Sequence, residues 1–129
     1  MKDDILTEDD SHSGYIEKQS PSLLKLWQKR FFILDKKVLK YFKSQSDIEK
    51  GKPPRGVINF QQIWIVPVFK ESQLKIDLKI QGSNRVFNLK CDTFESFEIW
   101  QKKLKRSINT SVGKQRELSM EMYKNDVST

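Results

Sequence analysis

The stretch that decides the fold is residues 74–108, LKIDLKIQGSNRVFNLKCDTFESFEIWQKKLKRSI. Its first seven residues alternate without a fault, with Leu74, Ile76, Leu78 and Ile80 on one side of an extended chain and Lys75, Asp77 and Lys79 on the other. A period of two belongs to a half-buried β-strand, so the apolar row faces a core and the charged row faces water. Gln81-Gly82-Ser83-Asn84 is turn chemistry, and Arg85–Cys91 repeats the alternation through Phe87, Leu89 and Cys91. The period then changes. Asp92 and Glu95 have capping-box spacing, with Asp in place of the usual Ser or Thr, and Phe97, Trp100, Leu104 and Ile108 follow at steps of three and four. This predicts one amphipathic helix with its aromatic stripe in the core. The other face carries Glu95 and Glu98 toward the start and Lys102, Lys105 and Arg106 toward the end, the order a helix dipole favours.

Upstream the period-two pattern reaches back to Gly14. Tyr15–Ser20, Gln28–Asp35, Val38–Lys43, Val57–Phe60 and Ile63–Val66 read as strands, and the tight Asp35-Lys36-Lys37 link makes the second and third a hairpin. The prolines of Lys50-Gly51-Lys52-Pro53-Pro54 fix φ and remove donors, so that segment is a loop. With Leu74–Ile80 and Arg85–Cys91 this makes seven strands. The expected fold is mainly β, a partly open seven-stranded barrel of two near-orthogonal antiparallel sheets capped by the C-terminal helix.

The chain of 129 residues is long enough for one domain and one core. Its net charge of +7 is unevenly placed. Residues 1–13 set Lys2 against Asp3, Asp4, Glu8, Asp9 and Asp10, a net −4, and read as a disordered acidic tail. Residues 109–129 are neutral and lack a strong stripe, a weakly structured tail, so residues 14–108 carry +11. A domain so basic attracts polyanions of any kind. No apolar run approaches the roughly 20 residues of a membrane-spanning helix. The acidic start lacks an apolar signal region, and Lys2 stands where N-myristoylation requires Gly. With Cys91 the single cysteine, a cytoplasmic location is expected.

Catalysis finds no support. The single His12 lies in the acidic tail, Cys91 has no histidine partner, and neither a phosphate-cradling glycine motif nor metal-ligand spacing occurs. No cofactor or metal is implied. Nucleic acid is a rival partner by charge, because Lys29-Arg30-Phe31-Phe32 and Lys40-Tyr41-Phe42-Lys43 interleave bases with aromatics. Strand parity opposes it by turning Phe32 inward, and a two-helix RNA-recognition order is missing.

Gly14-Tyr15-Ile16-Glu17-Lys18, Trp27-Gln28-Lys29-Arg30-Phe31-Phe32-Ile33-Leu34, Leu39-Lys40-Tyr41-Phe42, Pro54-Arg55-Gly56-Val57-Ile58 and Trp100 inside the last helix occur in that order. Together they resemble the pleckstrin homology (PH) domain family over residues 14–108. The resemblance implies the barrel-and-helix fold already expected and a non-catalytic module that binds phosphoinositide headgroups or an anionic membrane.

Parity shows how a charged site forms on such a barrel. If Ile16, Phe32, Leu34 and Leu39 face the core, then Lys18, Arg30 and Tyr41 continue the same inward rows to the barrel mouth. Two cations and a phenol there suit a compact phosphate, while Glu17 and Asp35 fall on the opposite face. In the resembling family, phosphoinositide binders carry a basic residue ending the first strand and a basic-x-Arg triplet in the second. Lys18 matches the first element and Arg30 the last, but Gln28 stands in the middle, which thins the site by one charge. Lys25 in the loop is placed to substitute in part, Arg55 resembles a further phosphate contact, and Tyr41 fits the family's strand-three tyrosine. In the loop Ser20–Leu26, Leu23 and Leu24 beside Lys25 suit membrane insertion, the leucines entering the interface while the ammonium stays among headgroups. The alternative is a protein-interaction module of the same scaffold, with an acidic peptide or a small GTPase as ligand.

Overall fold

A computed structural model describes residues 10–108. Among the described residues there are seven strands: β1 (Ser11–Gln19), β2 (Trp27–Asp35), β3 (Val38–Phe42), β4 (Gly56–Asn59), β5 (Ile65–Lys70), β6 (Lys75–Ile80) and β7 (Val86–Lys90). A one-turn helix α1 (Gln45–Glu49) lies between β3 and β4, and a long helix α2 runs over residues 94–108. The strands form one antiparallel ladder in the order β4-β3-β2-β1-β7-β6-β5. Its two halves meet at a narrow joint. β1 pairs with β2 along its whole length, from Ser11↔Asp35 to Gln19↔Trp27, but with β7 only through Glu17↔Lys90 and Lys18↔Leu89. β4 and β5 remain unpaired with each other, so the sheet stays open.

The core is the set of inward rows. Ile16, Phe32, Leu34, Leu39, Ile58, Phe60, Ile65, Ile76, Leu78, Leu89 and Cys91 are buried against Phe97, Trp100, Leu104 and Ile108 of α2. These helix residues lie on one face because their spacing is three to four. Phe32 stacks on Tyr41 at 5.2 Å and meets the Trp100 ring edge-on at 6.5 Å, so β2, β3 and α2 interlock through aromatics.

Several boundaries differ from the sequence reading. Ser11–Ser13, assigned to the acidic tail, belong to β1, and the His12 ring sits 4.6 Å from that of Trp100. Backbone pairing with β2 needs no apolar side chains, so charge composition alone hides it. Residues 1–9 and 109–129, where the rest of the two tails falls, lie outside the described residues. The strand expected at Ile63–Val66 is shifted to Ile65–Lys70 and contains Pro67, which is tolerated because β5 is an edge strand. Ile63 and Trp64 pack on the core from outside the strand. The cap of α2 is Thr93, whose Oγ1 accepts the Ser96 N–H at 3.1 Å, so the cap is one residue later than the Asp92 expected from its spacing with Glu95. The helix α1 was not expected, and it buries no residue that could have marked it with a stripe.

Candidate open-end phosphate site

The end of the sheet where β1 passes into the β1–β2 loop gathers the inward rows at their basic termini. Lys18 pairs with Gln28, Ile16 with Arg30, Phe32 with Tyr41, and Tyr41 with Gly56, which places Lys18, Arg30 and Tyr41 on one face as parity requires. The Lys18 ammonium stands 5.3 Å from the centre of the Tyr41 ring and 6.0 Å from that of Phe87. It also donates a long 3.4 Å hydrogen bond to the Gln19 carbonyl. Burial, and then the positive charges of Arg85 and Arg30, hold its pKa below the ordinary lysine value. Lys18 therefore feels the charge of both arginines while its ammonium stands near the phenol ring. Among the described residues none of the three forms an ion pair with a carboxylate. Arg30 spends one N–H on the Lys29 carbonyl at 2.9 Å, leaving most of its fork of donors for another acceptor.

Gly56 is what lets Tyr41 sit there. A Cβ at that position would overlap the ring, lying 2.7 Å from its Cζ and 2.9 Å from the hydroxyl oxygen. The Arg55 N–H donates to the Tyr41 carbonyl at 2.8 Å, so the backbone of the exposed Arg55 is tied to β3.

The loop between β1 and β2 is closed by Ser20 N–H to the Leu26 carbonyl at 2.7 Å and by Lys25 N–H to the Ser22 carbonyl at 3.0 Å. Lys25 takes a left-handed φ of 49° to make that turn. At the tip Leu23 is 100% and Leu24 75% exposed, and Leu26 is exposed as well. Lys25 lines a cleft of about 420 Å³ between the loop and the outward rows of β6 and β7, and that cleft also reaches Lys18 and Arg85. Arg30, Tyr41 and Arg55 are not among its walls. Of the five residues expected to form one site, Lys18 and Lys25 line this cleft, and Lys18 also stands beside the Tyr41 ring.

Sequence reasoning missed Arg85, Lys70, Lys79 and Asp77. Arg85 was within reach, since Arg85, Phe87 and Leu89 alternate like the rows ending in Lys18 and Arg30. The others needed the cleft, which forms only where the loop faces β6. Asp77 stands on the row expected to face water, yet it is buried. Its Oδ2 pairs with the Lys70 ammonium at 2.9 Å.

Among the described residues no helix is long and apolar enough to cross a membrane, and no cluster of three or more His, Cys, Asp and Glu could hold a metal. Phe31, Phe32 and Phe42 are all buried, on both sides of the sheet.

A family model described as the PH domain matches residues 10–109. Human oxysterol-binding protein-related protein 3 is 40% identical over 92 residues, covering 71% of this chain and 10% of that protein. The chain thus spans about a tenth of the length of the curated relatives it matches first. The solution structure of the PH domain of human oxysterol-binding protein-related protein 11 is similar at a TM-score of 0.63 and 22% identity, over 80% of this chain and 83% of that one. A crystal structure of the Slm1 PH domain in complex with inositol-4-phosphate is similar at a TM-score of 0.60 and 23% identity, over 73% of this chain and 92% of that one. Ladder order, capping helix and the family match over residues 10–109 agree, and the chain belongs to the PH domain family.

Proposed function

We propose that this domain is a non-catalytic, cytoplasmic module that docks reversibly on membranes by binding phosphoinositide headgroups at the open end. The observation that carries the reading is the Lys18 ammonium 5.3 Å from the centre of the Tyr41 ring, its pKa lowered first by burial and then by the charges of Arg85 and Arg30. Like charges are held together at a cost, and a phosphate is the group that relieves it through bidentate arginine contacts, a lysine charge and a phenolic hydrogen bond. Arg55 and Lys25 extend the positive field. The bare Leu23 and Leu24 at the loop tip enter the interfacial layer, and each base near an anionic leaflet adds about 1 kcal/mol. That a PH domain of the same fold has been crystallised with inositol-4-phosphate supports the ligand class. Single-stranded nucleic acid is disfavoured because the phenylalanines it would stack on are buried.

Sedimentation with vesicles carrying each phosphoinositide isomer, comparing the wild type with Arg30→Ala, tests the reading. Selective capture that falls at least tenfold in the variant is the expected result. Equal capture by phosphatidylserine vesicles, indifferent to Arg30, leaves only diffuse charge. Absence of vesicle binding combined with capture of an acidic peptide or a small GTPase favours the protein-interaction alternative.

A further inference from the structure

Strand register builds a second basic feature on the outer face of the sheet. Lys70 of β5 stands opposite Lys75 of β6, Lys75 opposite Lys90 of β7, Lys90 opposite Glu17 of β1, and Glu17 opposite Lys29 of β2. Directly opposed residues project from one side of a sheet. Their chain neighbours Ile16, Ile76 and Leu89 are buried in the core, so this row points outward across five strands. Lys70 is engaged by Asp77 at 2.9 Å. Among the described residues Lys75, Lys90 and Lys29 form no ion pair, not even with the intervening Glu17. Their ammoniums lie near aromatic rings instead. Those of Lys75 and Lys90 are 5.7 Å and 5.8 Å from the centre of the half-buried Trp27 ring, and that of Lys29 is 5.8 Å from the centre of the exposed Tyr15 ring. Like charges directly opposite one another destabilise a sheet, and a shared indole offsets that only in part. Carboxylates laid beside Trp27 relieve it.

The order of signs along the row selects the ligand. Neighbouring strands lie about 4.8 Å apart, so Lys75 and Lys29, three strands apart, are separated by roughly 14 Å along the sheet, too far for one phosphate to bridge. Glu17 stands between them. An unbroken run of negative charge, whether an anionic leaflet or a nucleic-acid backbone, is repelled in the middle of the row, whereas a peptide can place an uncharged residue there. In an extended peptide, two acidic pairs split by two neutral residues have their centres roughly 13 Å apart, which matches the span.

We infer that Lys75, Lys90, Glu17 and Lys29 form a docking surface for an acidic peptide of interrupted charge. One acidic pair lies beside Trp27, the second beside Tyr15, and uncharged residues cross Glu17. Arg30 and Tyr41 project from the other face of the sheet, so this surface is independent of the phosphate-binding reading.

The test is fluorescence-anisotropy titration of the full chain with two labelled peptides, Asp-Asp-Ser-Gly-Asp-Asp and the unbroken Asp-Asp-Glu-Glu-Asp-Asp. Wild type should bind the interrupted peptide at least threefold more tightly although it carries less charge. Glu17→Gln should abolish or reverse that order, and Lys90→Gln should weaken the interrupted peptide about fivefold. A wild type that prefers the unbroken peptide responds to total charge alone and overturns the inference. Binding of neither peptide overturns it as well and leaves the phosphate-binding reading untouched. A loss in Arg30→Ala equal to that in Lys90→Gln places the peptide at the open end and overturns it. Capture by phosphatidylserine vesicles that falls as steeply in Lys90→Gln as peptide binding does assigns the row to a membrane leaflet, which also overturns it. Should Lys90→Gln fail to fold, Glu17→Gln still decides: an unchanged order of the two peptides overturns the role of Glu17 and the inference with it.

Discussion

The two ends of β1 handle positive charge in opposite ways. At its start, near the Asp35–Lys37 turn, every basic group with a resolved contact there is tied to the fold. Arg106 of α2 pairs with Asp10 at 2.7 Å, and the Lys37 ammonium donates to the Ser107 carbonyl at 3.2 Å. The Ser107 hydroxyl donates back to the Lys36 carbonyl, and the Lys36 N–H donates to the Asp10 carbonyl at 3.2 Å. At the other end Lys18, Arg30 and Arg85 have no carboxylate partner among the described residues. The same inward rows therefore run from a fastened end to a reactive one. Stability should concentrate where the charges are satisfied, and recognition where they are not.

The sharpest way to break that contrast is to remove the stripe that binds α2 to the sheet. Trp100 is fully buried between Phe32 and His12, and Trp100→Ala should cost about 3–5 kcal/mol, read as a lowered denaturation midpoint. Gly56→Ala acts at the other end by displacing the Tyr41 ring. Overpacking of this kind costs roughly 1–3 kcal/mol and should also weaken headgroup capture, because the phenol can no longer stand beside Lys18. A Gly56→Ala variant that melts and binds as wild type would show that Tyr41 is not held where the site needs it.

How much of this could be read from residues follows from what each pattern encodes. Alternation in Leu74–Ile80 gives the strand and its two faces, but not what lies over the outer face, so Asp77 looked solvated and is buried. Parity led from Ile16 to Lys18 and from Phe32 to Arg30, and the structure keeps those rows together. Lys25 lies in a loop, which has no parity to read; hydrogen bonds from Ser20 and Lys25 close that loop, and Lys25 lines the same cleft as Lys18. The helix α1 and the shifted β5 escaped for a related reason. One buries nothing, and the other carries a proline that only its place at the sheet edge permits.

Lys18 sharpens the contrast, since its pKa is lowered in the folded state. A lysine whose folded value lies below its unfolded one binds fewer protons when folded, so stability rises with pH through that window. At neutral pH the charged Lys18 is thus a burden on the fold that a ligand relieves. Lys18→Met should leave the melting temperature unchanged or raise it, flatten the alkaline rise, and reduce headgroup affinity by about tenfold, or ~1.4 kcal/mol. A variant that melts lower while binding normally would place Lys18 among the fastening groups instead.

The smallest effect belongs to the fastened end. Asp10 and Arg106 are each close to half exposed, so their ion pair is screened, and such pairs contribute about 0–1 kcal/mol. Asp10→Asn should lower the denaturation midpoint slightly at low ionic strength, and the difference should vanish by about 1 M salt, where the Debye length is near 3 Å. The backbone bond from Lys36 to the Asp10 carbonyl survives the substitution, which keeps the loss small. Headgroup binding should not change, because the pair sits at the opposite end of β1 from Lys18. An Asp10→Asn chain that loses headgroup capture would mean that the two ends are coupled through α2 and β1, and that the division between fastening and recognition does not hold.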